Sequence, residues 1–291
     1  MSDRVWRRYD HAALEQEYSP SSRAPEFRSI LAGYTERSRV ARNELEHVEL
    51  RYGSESCETI DVFPARRRDA PMFVYVHGGY WQELSRFDSA FAATDFVAAG
   101  AAFAVVGYGL APHYSLPEIV DQVRRALRVL VSRADEHGID RGRIHIGGSS
   151  AGAHLALMAL HDNVMPHGSH VADIVAGAVL LSGVYDLEPL VGTYINVALA
   201  LDPATAEHLS PIRHLRSRLP PLIVARGGVE TVEFARQHGD LVAAVASRGI
   251  VVDSVIAERR NHFDLPFDLG NVATALGNRV FRQMGLRDPA E

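Results

Sequence analysis

A serine stands at the centre of Gly148-Ser149-Ser150-Ala151-Gly152, a G-x-S-x-G arrangement. It follows a short β-rich run, Arg143 to Gly147, and precedes a helical one, Ala151 to Leu160. Small flanking residues let strand and helix meet in a sharp turn that holds the central hydroxyl out as a nucleophile. Earlier in the chain His77-Gly78-Gly79-Tyr80-Trp81 ends another buried run, Pro71 to Val76. Two successive glycines leave their N–H groups unobstructed. Gly78 and Gly79 are therefore candidates for one half of an oxyanion hole, and the amide of Ala151 for the other. The chemistry these groups suit is acyl transfer through a covalent serine intermediate.

Such a serine needs a base and an orienting acid, expected in the chain order Ser, acid, His. Of the fourteen histidines, His262 in Asn261-His262-Phe263-Asp264 follows the last β run, Val251 to Ile256, where a late loop can bring an imidazole over the turn. His154 is too close to Ser150 on the same helix, and His161, His167 and His170 read as a polar loop. No H-E-x-x-H pairing occurs, so no metal is expected. For the acid, Glu230 follows the run Leu222 to Ala225, and Asp186 follows an earlier one. Glu230 is preferred because its strand precedes the one leading to His262; Asp186 opens a loop that a carboxylate could cap. Tyr80, Trp81, Tyr185 and Phe263 adjoin these segments and are candidates for enclosing an aryl group, although each taken singly suits packing in the core or cap better.

The elements needed to position these groups are an alternation of short apolar strands and amphipathic helices. Beyond the runs named above, Ala102 to Val106 and Ile174 to Leu181 read as strands, and Leu116 to Ser132 and Val232 to Arg248 as helices. That alternation predicts an α/β fold, a mostly parallel sheet with helices on both faces. Residues 1–47 read as a helical leader lying over the main body or covering a site. About 185–220 breaks the alternation and reads as a cap over the carboxyl ends of the strands. One domain, 1–291, is expected.

Composition narrows the surroundings. The charge balance, thirty basic against thirty-six acidic residues for a net −6, argues against nucleic acid or an anionic membrane as a partner. A single cysteine, Cys57, gives no internal disulfide, and the polar N-terminus lacks the apolar core of a signal peptide. A cytoplasmic protein acting on a small molecule is expected, with a homodimer left open.

HGGYW, GSSAG, the stretch GGVETVEFARQ and NHFD together resemble the kynurenine formamidase (arylformamidase) branch of the α/β-hydrolases. Tyr9 to Ala24, with Leu14, Tyr18 and Pro20, is similar to that family's leader. The resemblance implies an α/β-hydrolase fold, no cofactor, and hydrolysis of N-formyl-kynurenine or another aryl formamide with release of formate. It also implies Glu230 as the acid, where the family commonly carries Asp; Glu is one methylene longer. A carboxylesterase with the same triad is the alternative, and a non-catalytic binding protein of the same fold is a third reading.

Overall fold

The computed structural model describes residues 6–161, 170–216 and 218–286; His167 lies outside them. In chain order the elements are α1 (His11–Glu17), α2 (Phe27–Glu44), β1 (Val48–Arg51), β2 (Thr59–Phe63), β3 (Ala70–Val76), α3 (Ala93–Ala98) and β4 (Ala102–Val106). Then come α4 (Leu116–Ser132), β5 (Ile139–Ser149), α5 (Ala151–Leu160), β6 (Val175–Leu181), α6 (Asn196–Leu199) and α7 (Pro203–His208). β7 (Leu222–Val229), α8 (Val232–Ala246), β8 (Val252–Asn261) and α9 (Ala275–Met284) complete the series.

Eight strands form one sheet in the order β1-β2-β4-β3-β5-β6-β7-β8. The β1–β2 and β2–β4 pairs are antiparallel, and every pair from β4 to β8 is parallel. β3 and β4 are buried along their whole length because helices cover both faces. One core layer packs α4, α5 and α8 against the sheet, and the other packs α2, α3 and α9. Every residue of α5 is buried, as expected of a helix with no polar face. Because β3 connects outward to β4 and the chain then returns past it to β5, the carboxyl ends of β3 and β5 flank the place where strand order reverses, the usual site of a crevice. Among the described residues no helix is long and apolar enough to cross a membrane.

Two strands run further than their apolar stretches suggest. β5 begins at Ile139, ahead of a register shift between Ala70 and Met72 of β3. β8 continues beyond Ile256 to Asn261. It is an edge strand, so Glu258 and Arg259 can face water while the backbone still pairs with β7. A register shift between Gly227 and Val229 sets Asn261 opposite Val229, so His262 follows the strand directly rather than after a loop.

The contact between α5 and β3 leaves no room for a side chain. A Cβ on Gly152 would lie 2.0 Å from the Val76 carbonyl oxygen and 2.5 Å from that of His77, and one on Gly148 would lie 2.4 Å from Val76. Gly152→Ala is expected to lower stability by about 1–3 kcal/mol through overpacking, read from the urea unfolding midpoint.

Candidate active site

Ser150 occupies the turn between β5 and α5 with φ 57° and ψ −120°, a backbone conformation that L-residues rarely adopt. The turn is held from outside: the Ser150 N–H donates to the Leu181 carbonyl at the end of β6 (2.8 Å), and Ser182, also at positive φ, donates its N–H to Ala225 of β7 (2.8 Å).

His262 is fixed by its neighbours. The Asn261 side-chain oxygen accepts from the N–H groups of Phe263 (2.8 Å) and Asp264 (3.0 Å), while Asp264 accepts from the Asn261 N–H (2.7 Å). This reciprocal turn gives the NHFD stretch its physical sense, since the two polar side chains bracket the imidazole. The Phe234 ring meets the imidazole edge-on at 4.5 Å. Glu230 Oε2 lies 3.3 Å from His262 Nδ1, and its other oxygen accepts from the Ser182 hydroxyl (2.6 Å) and the Gly227 N–H (2.5 Å). Asp186 makes no such contact; it faces Arg213 (3.2 Å) and Arg236 (4.0 Å) and accepts from the Glu188 N–H (3.4 Å). Ser150 and His262 line one cavity, each 6% exposed. No hydrogen bond joins their side chains, a contact that often tightens only when substrate is bound.

Gly78 and Gly79 form part of the same wall. The Gly78 carbonyl accepts from His77 Nδ1 (2.9 Å) and from the Tyr108 hydroxyl (3.4 Å), and the His77 carbonyl accepts from that hydroxyl at 2.7 Å. A trans peptide points its N–H opposite its carbonyl, so these bonds turn the Gly79 amide away from Tyr108. The His77 ring stacks on Tyr108 at 4.0 Å, and burial pushes its pKa down to about 4, which leaves it a neutral donor at pH 7. Among the described residues neither the Gly79 nor the Ala151 amide has a protein acceptor. Gly79 itself has φ +99°, and its carbonyl takes two N–H donors, Gln82 and Glu83, both at 2.9 Å.

The cavity holds about 210 Å3. Of the four aromatic candidates, Tyr80 and Phe263 line it. Trp81 and Tyr185 do not; both are fully buried, Trp81 edge-on to His154 at 5.1 Å. The roof comes from three distant segments. Phe27, Leu31 and Tyr34 descend from α2, Tyr80 and Gln82 from the loop after β3, and Tyr194 and Ile195 from the cap region. Tyr80 donates to the Tyr18 carbonyl (2.7 Å), Gln82 to the Ile195 carbonyl (3.1 Å) and Ser19 to the Tyr194 hydroxyl (3.2 Å). The leader is tied down by α8: Gln237 donates to the Tyr18 hydroxyl (3.0 Å), Arg236 does so at 3.2 Å, and Thr231 donates to the Glu17 carbonyl (2.6 Å). Sequence reasoning missed the roof residues of α2, although Phe27, Leu31 and Tyr34 recur at helical spacing. It also missed Tyr108 and Ser182, for which no local pattern exists. Among the described residues no group of three or more His, Cys, Asp or Glu could hold a metal ion.

Two relatives decide the family. A kynurenine formamidase of Danio rerio is 34% identical over 91% of this chain and 92% of its own, and one of Salmo salar is 31% identical over 96% and 98%. The chain belongs to the kynurenine formamidase family. The family model BD-FAE matches residues 60–243. Esterase LipC of Mycobacterium tuberculosis (strain ATCC 25618 / H37Rv) is 29% identical over 67% of this formamidase-family chain and 54% of its own. A solved structure of a thioesterase candidate from Silicibacter sp. TM1040 superposes with a TM-score of 0.81 at 26% identity, covering 92% of this chain and 98% of that one. The carboxylesterase EstE1 superposes at 0.73 and 20% identity, over 92% and 97%. The sheet is that of the α/β-hydrolases.

Two outcomes are expected of this kynurenine formamidase-family site. Glu230→Gln should lower turnover by about 10⁴, the size of loss seen in serine hydrolases when the acid becomes its amide, while folded Asp186→Asn stays near wild type. Tyr108→Phe keeps the stacked ring but frees the His77 carbonyl and leaves that of Gly78 to His77 Nδ1 alone; it should cut kcat by about tenfold, on the scale of one lost hydrogen bond, with KM little changed. Steady-state kinetics with a chromogenic substrate reads both.

Proposed function

We propose that this enzyme hydrolyses aryl formamides of the N-formyl-kynurenine kind, with Ser150, His262 and Glu230 as the triad. The observation that carries the reading is the cavity at Ser150: a roofed space walled by Phe27, Tyr34, Tyr75, Tyr80, Tyr194 and Phe263, with Ser150 and His262 in the same lining. A flat aryl leaving group suits such walls, and the kinship with kynurenine formamidases supports the same substrate class.

In this reading His262 takes the Ser150 proton as the hydroxyl oxygen attacks the formyl carbon. Negative charge collects on the formyl oxygen, where the Gly79 and Ala151 amides meet it; one such donor is typically worth ~3 kcal/mol of barrier. Glu230 holds Nδ1–H, leaving Nε2 as the base, and is itself held by Ser182 and Gly227. His262 then protonates the departing aryl nitrogen, and water cleaves the formyl-serine to formate. The small-molecule substrate, the single cysteine and the acidic balance support a place in the cytoplasm.

A second reading, a carboxylesterase with the same machinery, is favoured by the kinship with LipC, an esterase. One experiment separates the readings. Wild type is expected to be labelled by a serine-reactive phosphonate and to prefer N-formyl-kynurenine over p-nitrophenyl acetate in kcat/KM, while Ser150→Ala loses labelling and turnover without a change in melting temperature. Labelling with turnover of the ester alone would assign the carboxylesterase instead, and absence of labelling would remove the serine mechanism.

A further inference from the structure

Tyr75 is a polar side chain that neither the fold nor the mechanism above accounts for. It lies near the end of β3 inside an otherwise apolar run, is 1% exposed, and packs its ring among Phe91 (5.4 Å) and Phe103 (6.2 Å). Burial raises its pKa, so the phenol stays protonated and remains a donor. Its hydroxyl has no hydrogen-bond partner among the described residues, unlike Tyr34, which donates to the Phe263 carbonyl (2.5 Å), and Tyr108, which donates to His77. Nor is that oxygen among the fully occluded unpartnered atoms, so the residue's small exposed area includes it, and Tyr75 faces the cavity. A structural role does not require this hydroxyl, because Phe would pack the same ring.

A second hydroxyl lies beside it. In the β3–β5 register Tyr75 is opposite Gly147, and Ser149 is two residues on, so their side chains share one face of the sheet. Ser149 also lines the cavity and has no hydrogen-bond partner among the described residues. The lining residues include one carboxylate, Glu83, and no Lys or Arg. The donors available to a bound molecule beyond the oxyanion hole are therefore neutral, and suited to an uncharged acceptor. A formyl group has one oxygen, already claimed by the Gly79 and Ala151 amides, and its remaining substituent is hydrogen. A further donor is then free for the leaving group.

Resting on the formamide reading, we propose that the Tyr75 hydroxyl, with Ser149 beside it, is a specificity-determining donor that hydrogen-bonds a ketone oxygen carried by the aryl leaving group close to the scissile nitrogen. A site built to satisfy such an acceptor penalises the analogue that lacks it, because its own donors are then left buried and unpaired.

The test compares matched substrates with and without the carbonyl: formanilide against 2-acetylformanilide, and phenyl acetate against 2-acetylphenyl acetate. The readout is the ratio of kcat/KM within each pair, normalised to the intrinsic hydrolysis rates of the two compounds. Wild type should favour the acetyl-bearing member, and Tyr75→Phe should lower that ratio by about tenfold or more, the scale of one buried hydrogen bond. Ser149→Ala should lower it in the same direction and carries the test if the Tyr75 variant melts at lower temperature. An unchanged ratio in both variants, including an equal loss on both substrates or a hydroxyl satisfied by bound water, would overturn the proposal. If wild type cleaves the esters and neither formamide, the formamide reading fails while the ester pair still decides the role of Tyr75. Turnover of neither pair would overturn both.

Discussion

The close approach of a helix start to a strand end governs this molecule. α5 meets β3 where the Gly152 position touches two backbone carbonyls, and no other residue type leaves that gap open. Because the helix cannot retreat, the chain between β5 and α5 must turn within Ser150, and it does so at a positive φ. The same contact sets Ser150 against the loop that follows β3, so two groups far apart in sequence share one wall. The strain is met by bonds to the neighbouring strands: Leu181 accepts from Ser150, and Ala225 accepts from Ser182 one strand further on. Ser182 in turn carries the carboxylate of Glu230. A steric limit at one glycine is thereby passed, through hydrogen bonds, along three successive strand ends.

The helix start at Val232 serves a second purpose. Glu233, Arg236 and Gln237 do not reach the cavity; they hold the Tyr18 hydroxyl, and Gln237 also accepts from the N–H groups of Tyr185 and Asp186 at 2.9 Å. Leader and cap region are thus pinned to the helix that follows Glu230. Buried polar groups linked in this way specify one arrangement, since a misplaced leader would leave several of them unsatisfied.

The parts of this design differ in how far they can be read from residue order. Strand–helix alternation makes the parallel sheet legible, because a strand covered on both faces must be apolar throughout, as PMFVYV and AFAVV are. The sharp turn at Ser150 is legible because small residues are needed on both of its sides. Once β7 and β8 are neighbours, the nearness of Glu230 to His262 follows from their shared register. Other features have no local signature. The last residues of β8 look like a polar loop since their pairing is one-sided, and Ser182 and Tyr108 act through partners more than thirty residues away. Trp81 and Tyr185 show the converse: position beside a functional segment does not tell whether an aromatic ring faces the cavity or the core, because that depends on a turn whose φ values are set by contacts elsewhere.

The division of labour between sheet and roof bears on how such a protein can diversify. Ser150, Glu230 and His262 stand at strand ends that cannot shift without disturbing the core. Most of the residues that shape the rest of the cavity belong to the leader, one loop and the cap, segments that contribute no strand to the sheet, with Tyr75 of β3, Ser149 of β5 and Phe263 beside them. Substitutions at Leu31, Tyr194 or Ile195 change the space offered to a guest while leaving the strand pairing intact. Descendants of one ancestral chain could therefore exchange their clientele by small edits to these outlying segments, each intermediate keeping a working reaction centre throughout.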